Sequence, residues 1–330
     1  MLLISYGTRP EYIKVKPLIN ELTRREIIPF KIIFTGQHQD LAPEGGDYVL
    51  DIEEGNNRLD SIIASVLNKN YIWEGITHVL VQGDTTSAFA VALAAMNRQV
   101  KVIHLEAGLR TFDYENPFPE EYNRQLISRI SSINLCPTSL NKKNLDNENC
   151  VGKNYLVGNT VLDNLEDYES SYGDEVLITM HRRENLELLP MWFKTFNILA
   201  VDNPNLKFIF PLHPNPQIQQ HRDLLPDIEI IDPLSHKDMV EKIASCRFII
   251  TDSGGIQEEA SFFKKKCIIC RHQTERTETL DFTSFLCPSP ENLFELVKSI
   301  SNNYISYREC PYGDGHASER IASILEGVVK

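Results

Sequence analysis

Short aliphatic or β-branched runs alternate with segments of helical period along almost the whole chain, and that alternation leaves few folds open. Leu2–Tyr6 reads as a strand, followed by a helix to about Arg25, a strand at Phe30–Phe34, a helix near Ser61–Leu67 and a strand at Thr77–Val81. Ala88–Met96 continues as helix, Val102–Leu105 as strand and Glu120–Ile130 as helix. Strands separated by helices pair in parallel, because parallel neighbours need a crossover between them. A second series follows Glu169-Ser170-Ser171-Tyr172-Gly173, with strands near Val176–Met180, Phe208–Phe210, Ile228–Ile231, Phe248–Thr251 and Cys267–Cys270. The chain is thus expected to be α/β, with two Rossmann-like, doubly wound parallel-sheet domains and a cleft between them. The expected boundaries are 1–168 and 169–315, with 316–330 a helix whose apolar spacing suits a return to the first domain. In open parallel sheets ligands lie beyond the carboxyl ends of the strands, so the polar residues just after each strand are the ones to weigh.

The 330 residues exceed the usual size of one core, which agrees with two domains of about 150 residues each. A net charge of −13 argues against nucleic acid or an anionic membrane as partner, since both select a basic footprint. An anionic small molecule would then be held by local devices, namely helix N-termini and a few placed arginines. The opening Met1–Tyr6 is too short for a signal or a membrane span and lacks a basic lead-in, so it reads as a first buried strand. Seven cysteines, an odd number scattered from Cys136 to Cys310, suggest no disulfide framework and suit a reducing cytoplasm. Cys267-Ile268-Ile269-Cys270 has half the spacing of a zinc site, but it lies in an apolar strand where residues three apart face opposite ways, so packing is the expected role.

In the first half, Gly7-Thr8-Arg9-Pro10-Glu11 follows the first strand. Gly7 suits a tight turn and Pro10 a first helical turn, while Arg9 and Lys14 stand where a phosphate would meet cations and free amides; an ordinary strand-to-helix turn is the alternative. Asp84, after Gln82-Gly83, either caps the next helix or serves in catalysis. Glu106 interrupts an apolar run at a strand's end, where a carboxylate is costly unless paired or used, and Arg110 is one candidate partner. Glu120 and Glu121 follow Pro119, as acids often do at a helix start. Three acidic stations at successive strand ends nevertheless converge on one side of such a sheet.

In the second half, His181-Arg182-Arg183-Glu184-Asn185 follows a strand, and His181 is either a satisfied core ring or part of a site. Pro211-Leu212-His213-Pro214 forces a structured turn that holds His213 outward. Thr251-Asp252-Ser253-Gly254-Gly255 leaves a strand and opens a helix, an arrangement that lets a pyrophosphate approach the backbone closely. Glu259, one turn further, is placed to accept hydrogen bonds from ribose hydroxyls.

Taken together, the blocks GTRPEYIKVKPLI, TGQHQDL, VQGDTTSAFA, HLEAGLRT, PFPEEYNR, VGNTVLDNL, MHRREN, PLHPNP, TDSGGIQEEA, QTERTE and PYGDG resemble the non-hydrolysing UDP-N-acetylglucosamine 2-epimerases, over nearly the whole chain and in one order. The resemblance implies a GT-B-like architecture, shared with many glycosyltransferases. It also implies inversion at C2 of UDP-GlcNAc to UDP-ManNAc through elimination of UDP to 2-acetamidoglucal and re-addition. Neither a metal nor a cofactor is implied, and the expected partners are a small nucleotide sugar and a second copy of the chain, as a homodimer. By motif match Asp84, Glu106 and Glu120 correspond to the family's catalytic acids and His181 to its essential histidine. Carried over in the same way, Arg9, Lys14, Ser253, Gly254, Gly255 and Glu259 would hold UDP.

Gln37, Arg182 and His213 resemble positions at which a second nucleotide sugar binds in the bacterial enzymes. Here the chain is shorter between Gln37-His38 and Leu59, with Ala42-Pro43-Glu44-Gly45-Gly46 replacing a helical stretch, and a further arginine of that second site is expected to fall in the shortened part. Thr277 stands where the family usually has proline, which implies a reshaped uridine loop or a different preferred sugar. A GT-B-type glycosyltransferase and a hydrolysing 2-epimerase that releases ManNAc and UDP are the alternatives on the same architecture.

Overall fold

The computed structural model of the chain describes residues 1–37, 46–53 and 55–329. It contains two compact units, one joining Met1–Asn164 to Tyr312–Lys330 and the other spanning Leu165–Pro311.

The first unit runs β1 (Leu2–Tyr6), α1 (Arg9–Arg25), β2 (Phe30–Phe34), β3 (Tyr48–Val49), α2 (Arg58–Leu67), β4 (His78–Gln82) and α3 (Thr86–Asn97). It continues with β5 (Lys101–Leu105), α4 (Glu120–Ile130), β6 (Ser131–Cys136), α5 (Ser139–Asn147) and β7 (Lys153–Leu156). Its seven strands lie in the order β3-β2-β1-β4-β5-β6-β7, every pair parallel. The central strands β1, β4 and β5 are buried on both faces, which is why they read as nearly continuous apolar runs. Alternate residues of β1 serve opposite cores. Leu2, Ile4 and Tyr6 pack with Val15, Leu18 and Leu22 of α1, whereas Leu3 joins Val79, Val81 and the alanine-rich α3. Such a split follows from the two-residue period of a strand.

The second unit runs β8 (Glu175–Thr179), α6 (Leu189–Asp202), β9 (Lys207–Pro211), α7 (Pro216–Gln219), β10 (Glu229–Ile231) and α8 (His236–Ser245). Then come β11 (Phe248–Thr251), α9 (Gly254–Phe262), β12 (Cys267–Ile269), β13 (Ser284–Leu286) and α10 (Leu293–Ser301). The strand order is β10-β9-β8-β11-β12-β13, again parallel throughout. Trp192, Phe193 and Phe196 of α6 fill one face against Val176, Ile178 and Phe210. Cys267 and Cys270 are both fully buried, Cys270 within that same core, and burial pushes both thiols well above their ordinary range.

The last helix, α11 (Ala317–Val328), belongs to the first unit. Ile321, Ala322 and Leu325 pack into the core that β1 and α1 share, and Asp163 accepts the Ala317 and Ser318 amides at 3.0 and 2.6 Å, capping the helix from outside it. The strand order reverses between β1 and β4 in one sheet and between β8 and β11 in the other. In doubly wound sheets that reversal opens a crevice at the carboxyl ends of the two strands, where ligands bind.

Candidate active site

At the β1/β4 reversal the turn after β1 is closed on itself. Thr8 caps α1 and Glu11 completes a capping box, with the Gly7 and Thr8 amides both donating to Glu11 Oε2 at 2.7 Å. These amides are therefore engaged by Glu11, which corrects the expectation that they stand free for a phosphate. Burial raises the Glu11 pKa, against the opposing pull of the Thr85, Gly7 and Thr8 hydrogen bonds. Thr85 Oγ1 donates to Glu11 Oε1 at 2.6 Å, tying the turn after β1 to the turn after β4. Gly7 is required for closeness: a Cβ there would lie 2.2 Å from Thr35 Oγ1 and 2.5 Å from Ser87 Oγ. Arg9 is exposed on the first turn of α1.

Lys14, one turn on, forms an ion pair with Glu106 at the end of β5. The same carboxylate accepts a hydrogen bond from Gln82 Nε2 at the end of β4 and one from Asn159 Nδ2 at 3.5 Å. Arg110 is not its partner; that guanidinium forks onto Glu148 at 2.7 and 2.9 Å. Glu106 has φ +64°, a left-handed conformation that a non-glycine residue adopts at a cost and that often marks a functional position. His104, two residues earlier and buried, donates through Nε2 to the Gly83 carbonyl at 2.7 Å. Burial lowers its pKa from 6.5 to about 4, so the ring is neutral.

Asp84 does not cap α3, as one sequence reading had it; Thr85 does, accepting from the Ala88 amide. The Asp84 carboxylate meets Arg124 of α4, with Nε and Nη2 at 2.8 and 2.7 Å from Oδ2, and Asn123 holds its carbonyl at 2.8 Å. Glu120 opens α4, half-buried and four residues before Arg124, hence on the same helical face. Glu121 is no solvated cap: it is fully buried and accepts from the Thr111 amide, Gln125 and Arg124. In the first unit the structure thus brings together Asp84, Glu106 and Lys14 with Gln82, Asn159 and Arg124, and sets Glu120 one turn from Arg124.

At the β8/β11 reversal of the second unit, His181 follows β8 with its ring 42% exposed, so it is not a core residue. Asp252, fully buried after β11, accepts the amides of His181 (3.0 Å) and Arg182 (2.8 Å) and the Asn185 side chain (3.1 Å). His213 is exposed and stacks on His181, ring centroids 5.8 Å apart and 16° from parallel. Arg182 Nε is buried and makes no hydrogen bond among the described residues.

Ser253 stands at the start of α9 without a side-chain cap bond. Gly254 admits Arg276, whose Nη1 would lie 2.5 Å from a Cβ there, while nothing lies within 4 Å of a Cβ on Gly255. Arg276 is in turn bonded to Glu258 at 2.7 Å and to Glu275. Glu259, on α9, receives His236 Nε2 at 3.0 Å. The N-terminus of α9 is therefore a positive helix end with open space over its second residue, fit for an anion.

A family model described as UDP-N-acetylglucosamine 2-epimerase matches residues 20–326. The UDP-N-acetylglucosamine 2-epimerase of Campylobacter jejuni is 34% identical over 98% of this chain and 97% of its own length. The chain belongs to the UDP-N-acetylglucosamine 2-epimerase family. Among solved structures, the UDP-GlcNAc 2-epimerase of Neisseria meningitidis bound to UDP-GlcNAc superposes with a TM-score of 0.87 at 32% identity, covering 98% of this chain and 99% of that one. The Methanocaldococcus jannaschii UDP-GlcNAc 2-epimerase in complex with UDP-GlcNAc and UDP gives 0.80 at 31%, covering 98% and 99%. Two parallel-sheet α/β domains of the GT-B-like class are what this epimerase chain was expected to have, and it has them.

Of the residues that resemble a second nucleotide-sugar site in epimerases, Gln37 lies in the first unit and Arg182 and His213 in the second. Gln37 Oε1 accepts the Ser87 amide at 3.1 Å. Its carbonyl accepts Arg58 Nη2, from the start of α2, at 3.0 Å. Residues 42–45 of the shortened stretch lie outside the described residues. Thr277 is exposed and opens a short 3-10 turn, Thr277–Thr279, ahead of β13. Among the described residues no group of three or more His, Cys, Asp or Glu side chains is placed to hold a metal. Nor is any helix there long and apolar enough to cross a membrane.

Sequence reasoning missed Gln82, Asn159, Arg124 and Asp252, each of which holds a candidate acid or histidine. For two of them the signal was present as polar residues ending apolar strands, Gln82 after Val79–Val81 and Asp252 after Phe248–Thr251. A buried polar side chain requires a partner, and the partner here is a candidate site residue.

Proposed function

We propose that the chain interconverts UDP-GlcNAc and UDP-ManNAc without hydrolysis, by eliminating UDP to 2-acetamidoglucal and adding it back on the other face of the sugar. A base removes the C2 proton, the C1–O bond breaks, its electron pair leaves with UDP, and a C1=C2 double bond forms; return of UDP to C1 and of a proton to the opposite face of C2 completes the inversion. The observation that carries this reading is the pair Asp84 and Glu106 on the adjoining ends of β4 and β5, each matched to a cation, Arg124 and Lys14. Placed carboxylates suit proton transfer at C2 and stabilise positive charge that builds near C1.

In this reading Asp84, Glu106, Glu120 and His181 carry the proton transfers. Arg9, Lys14, Ser253, Gly254, Gly255 and Glu259 hold UDP, the diphosphate at the α9 N-terminus. The ligand in this reading is a nucleotide sugar, and the enzyme acts in the cytoplasm as a homodimer. The UDP-GlcNAc carried by the Neisseria meningitidis structure supports the choice of ligand.

The test is incubation of the purified chain with UDP-GlcNAc in heavy water, read by NMR. Deuterium at C2 of recovered UDP-GlcNAc and UDP-ManNAc, with a trace of glucal, is expected. Free ManNAc with stoichiometric UDP would indicate a hydrolysing enzyme instead. Inertness with the donor alone would favour a glycosyltransferase.

A further inference from the structure

His181 and His213 lie nearly parallel in the second unit, yet their ring nitrogens are engaged in opposite ways. His213 Nδ1 accepts the Asn215 amide at 3.1 Å, so the proton of the neutral ring sits on Nε2. His181 Nδ1 instead faces the Asp252 carboxylate, 3.4 Å from Oδ1. An ionised carboxylate only accepts, so the ring proton belongs on Nδ1 and Nε2 is left with a lone pair. Asp252 is well built for orienting this ring. It is fully buried, it accepts the His181 and Arg182 amides, and Asn185 links it to the Cys270 carbonyl at 3.0 Å. The ends of β8, β11 and β12 are thereby tied together around one carboxylate.

We propose that Asp252 is a positioning residue that fixes His181 as its Nδ1–H tautomer, so that the stacked pair offers a proton-accepting Nε2 from His181 beside a proton-donating Nε2–H from His213. The proposal rests on the reading above in taking His181 as a group that meets the nucleotide sugar. Burial first, and then the neighbouring His181, lower the His213 pKa, which keeps that ring neutral and its donor in place. Acceptor and donor side by side suit a sugar that presents both a hydroxyl or C–H proton and an anionic oxygen. Carboxylates behind catalytic or metal-bound histidines set the tautomer in the same manner.

The decisive measurement is made on the full wild-type chain labelled with ¹⁵N at histidine, without ligand, at about pH 8, where unperturbed imidazoles are neutral. Two-bond proton–nitrogen correlations, assigned with His181→Gln and His213→Gln, should show His181 protonated on Nδ1 and His213 on Nε2. In Asp252→Asn the His181 ring should move toward a mixture of tautomers, with kcat lowered about ten- to a hundredfold and KM nearly unchanged. An Nε2–H His181 in the wild type, or a folded Asp252→Asn chain with His181 unaltered, overturns the proposal. If that variant does not fold, the wild-type tautomers decide alone. Expected tautomers in a chain that does not exchange C2 would sink the epimerase mechanism and leave this assignment standing.

Discussion

Arg124 Nη2 lies 2.7 Å from Asp84 Oδ2, and the same guanidinium reaches Glu121 Oε2 at 3.1 Å. One buried arginine thus joins the turn after β4 to the first turn of α4. Replacing it by alanine leaves the fully buried Glu121 without its cation, a type of change that costs about 3–5 kcal/mol. Arg124→Ala should lower the urea midpoint of the first unit accordingly, and Arg124→Lys should recover only part, because an ammonium lacks the planar fork. A loss below about 1 kcal/mol, the worth of an exposed pair, would show that the contact is not needed.

Glu106 is gripped by Lys14 and Gln82 in a left-handed backbone position. Glu106→Gln keeps the size of the side chain and removes its charge. For a group that moves a proton, turnover should fall by about 10²–10⁴-fold, while UDP affinity by calorimetry changes little. Epimerisation at an undiminished rate would remove Glu106 from the proton path.

Both sheets were legible because parallel strands buried on two faces must read as apolar runs. Four strands were not, the shortest being β3, with only Tyr48–Val49. In β6 polar Ser132 and Asn134 break the pattern, and they are accommodated by hydrogen bonds to the Val102 carbonyl and to Asn154. The β7 strand is a short edge with two polar residues, and β13 spans only Ser284–Leu286. At the candidate site the sequence marked the acids and the glycines, since each is out of place in its strand or turn. It did not reveal their partners: Lys14 meets Glu106 across 92 residues and Arg124 meets Asp84 across 40, and only the crossover topology brings such pairs together.

The two glycines that open α9 differ, and so should their alanine variants. A methyl on Gly254 would lie 2.5 Å from Arg276 Nη1, and Arg276 is not free to swing because Glu258 and Glu275 hold it. Gly254→Ala should therefore destabilise the second unit by about 1–3 kcal/mol through overpacking. On Gly255 the methyl meets nothing within 4 Å, and in a helix alanine is favoured over glycine by about 1 kcal/mol. Gly255→Ala should leave the melting temperature unchanged or higher yet weaken UDP binding about tenfold or more, because the methyl stands where a diphosphate must approach the backbone. Unaltered UDP affinity in a stable Gly255→Ala chain would place the diphosphate elsewhere.

Acid should unsettle the first unit through His104. Burial first, and the charge of Arg110 among the lesser causes, hold this ring at a pKa of about 4, against the opposing hydrogen bond to Gly83. Between its ordinary 6.5 and about 4 the unfolded chain carries a proton that the folded chain does not, so stability falls as pH drops through that window. Above 6.5 neither state holds the proton and the term is constant; below about 4 the loss is complete, of the order of 3 kcal/mol. His104→Gln retains a donor of similar reach for the Gly83 carbonyl and does not titrate. Urea midpoints of the first unit, measured from near neutrality to about pH 4.5, should decline more steeply for the wild type than for His104→Gln. Equal slopes would mean that His104 contributes nothing to the acid sensitivity of this unit.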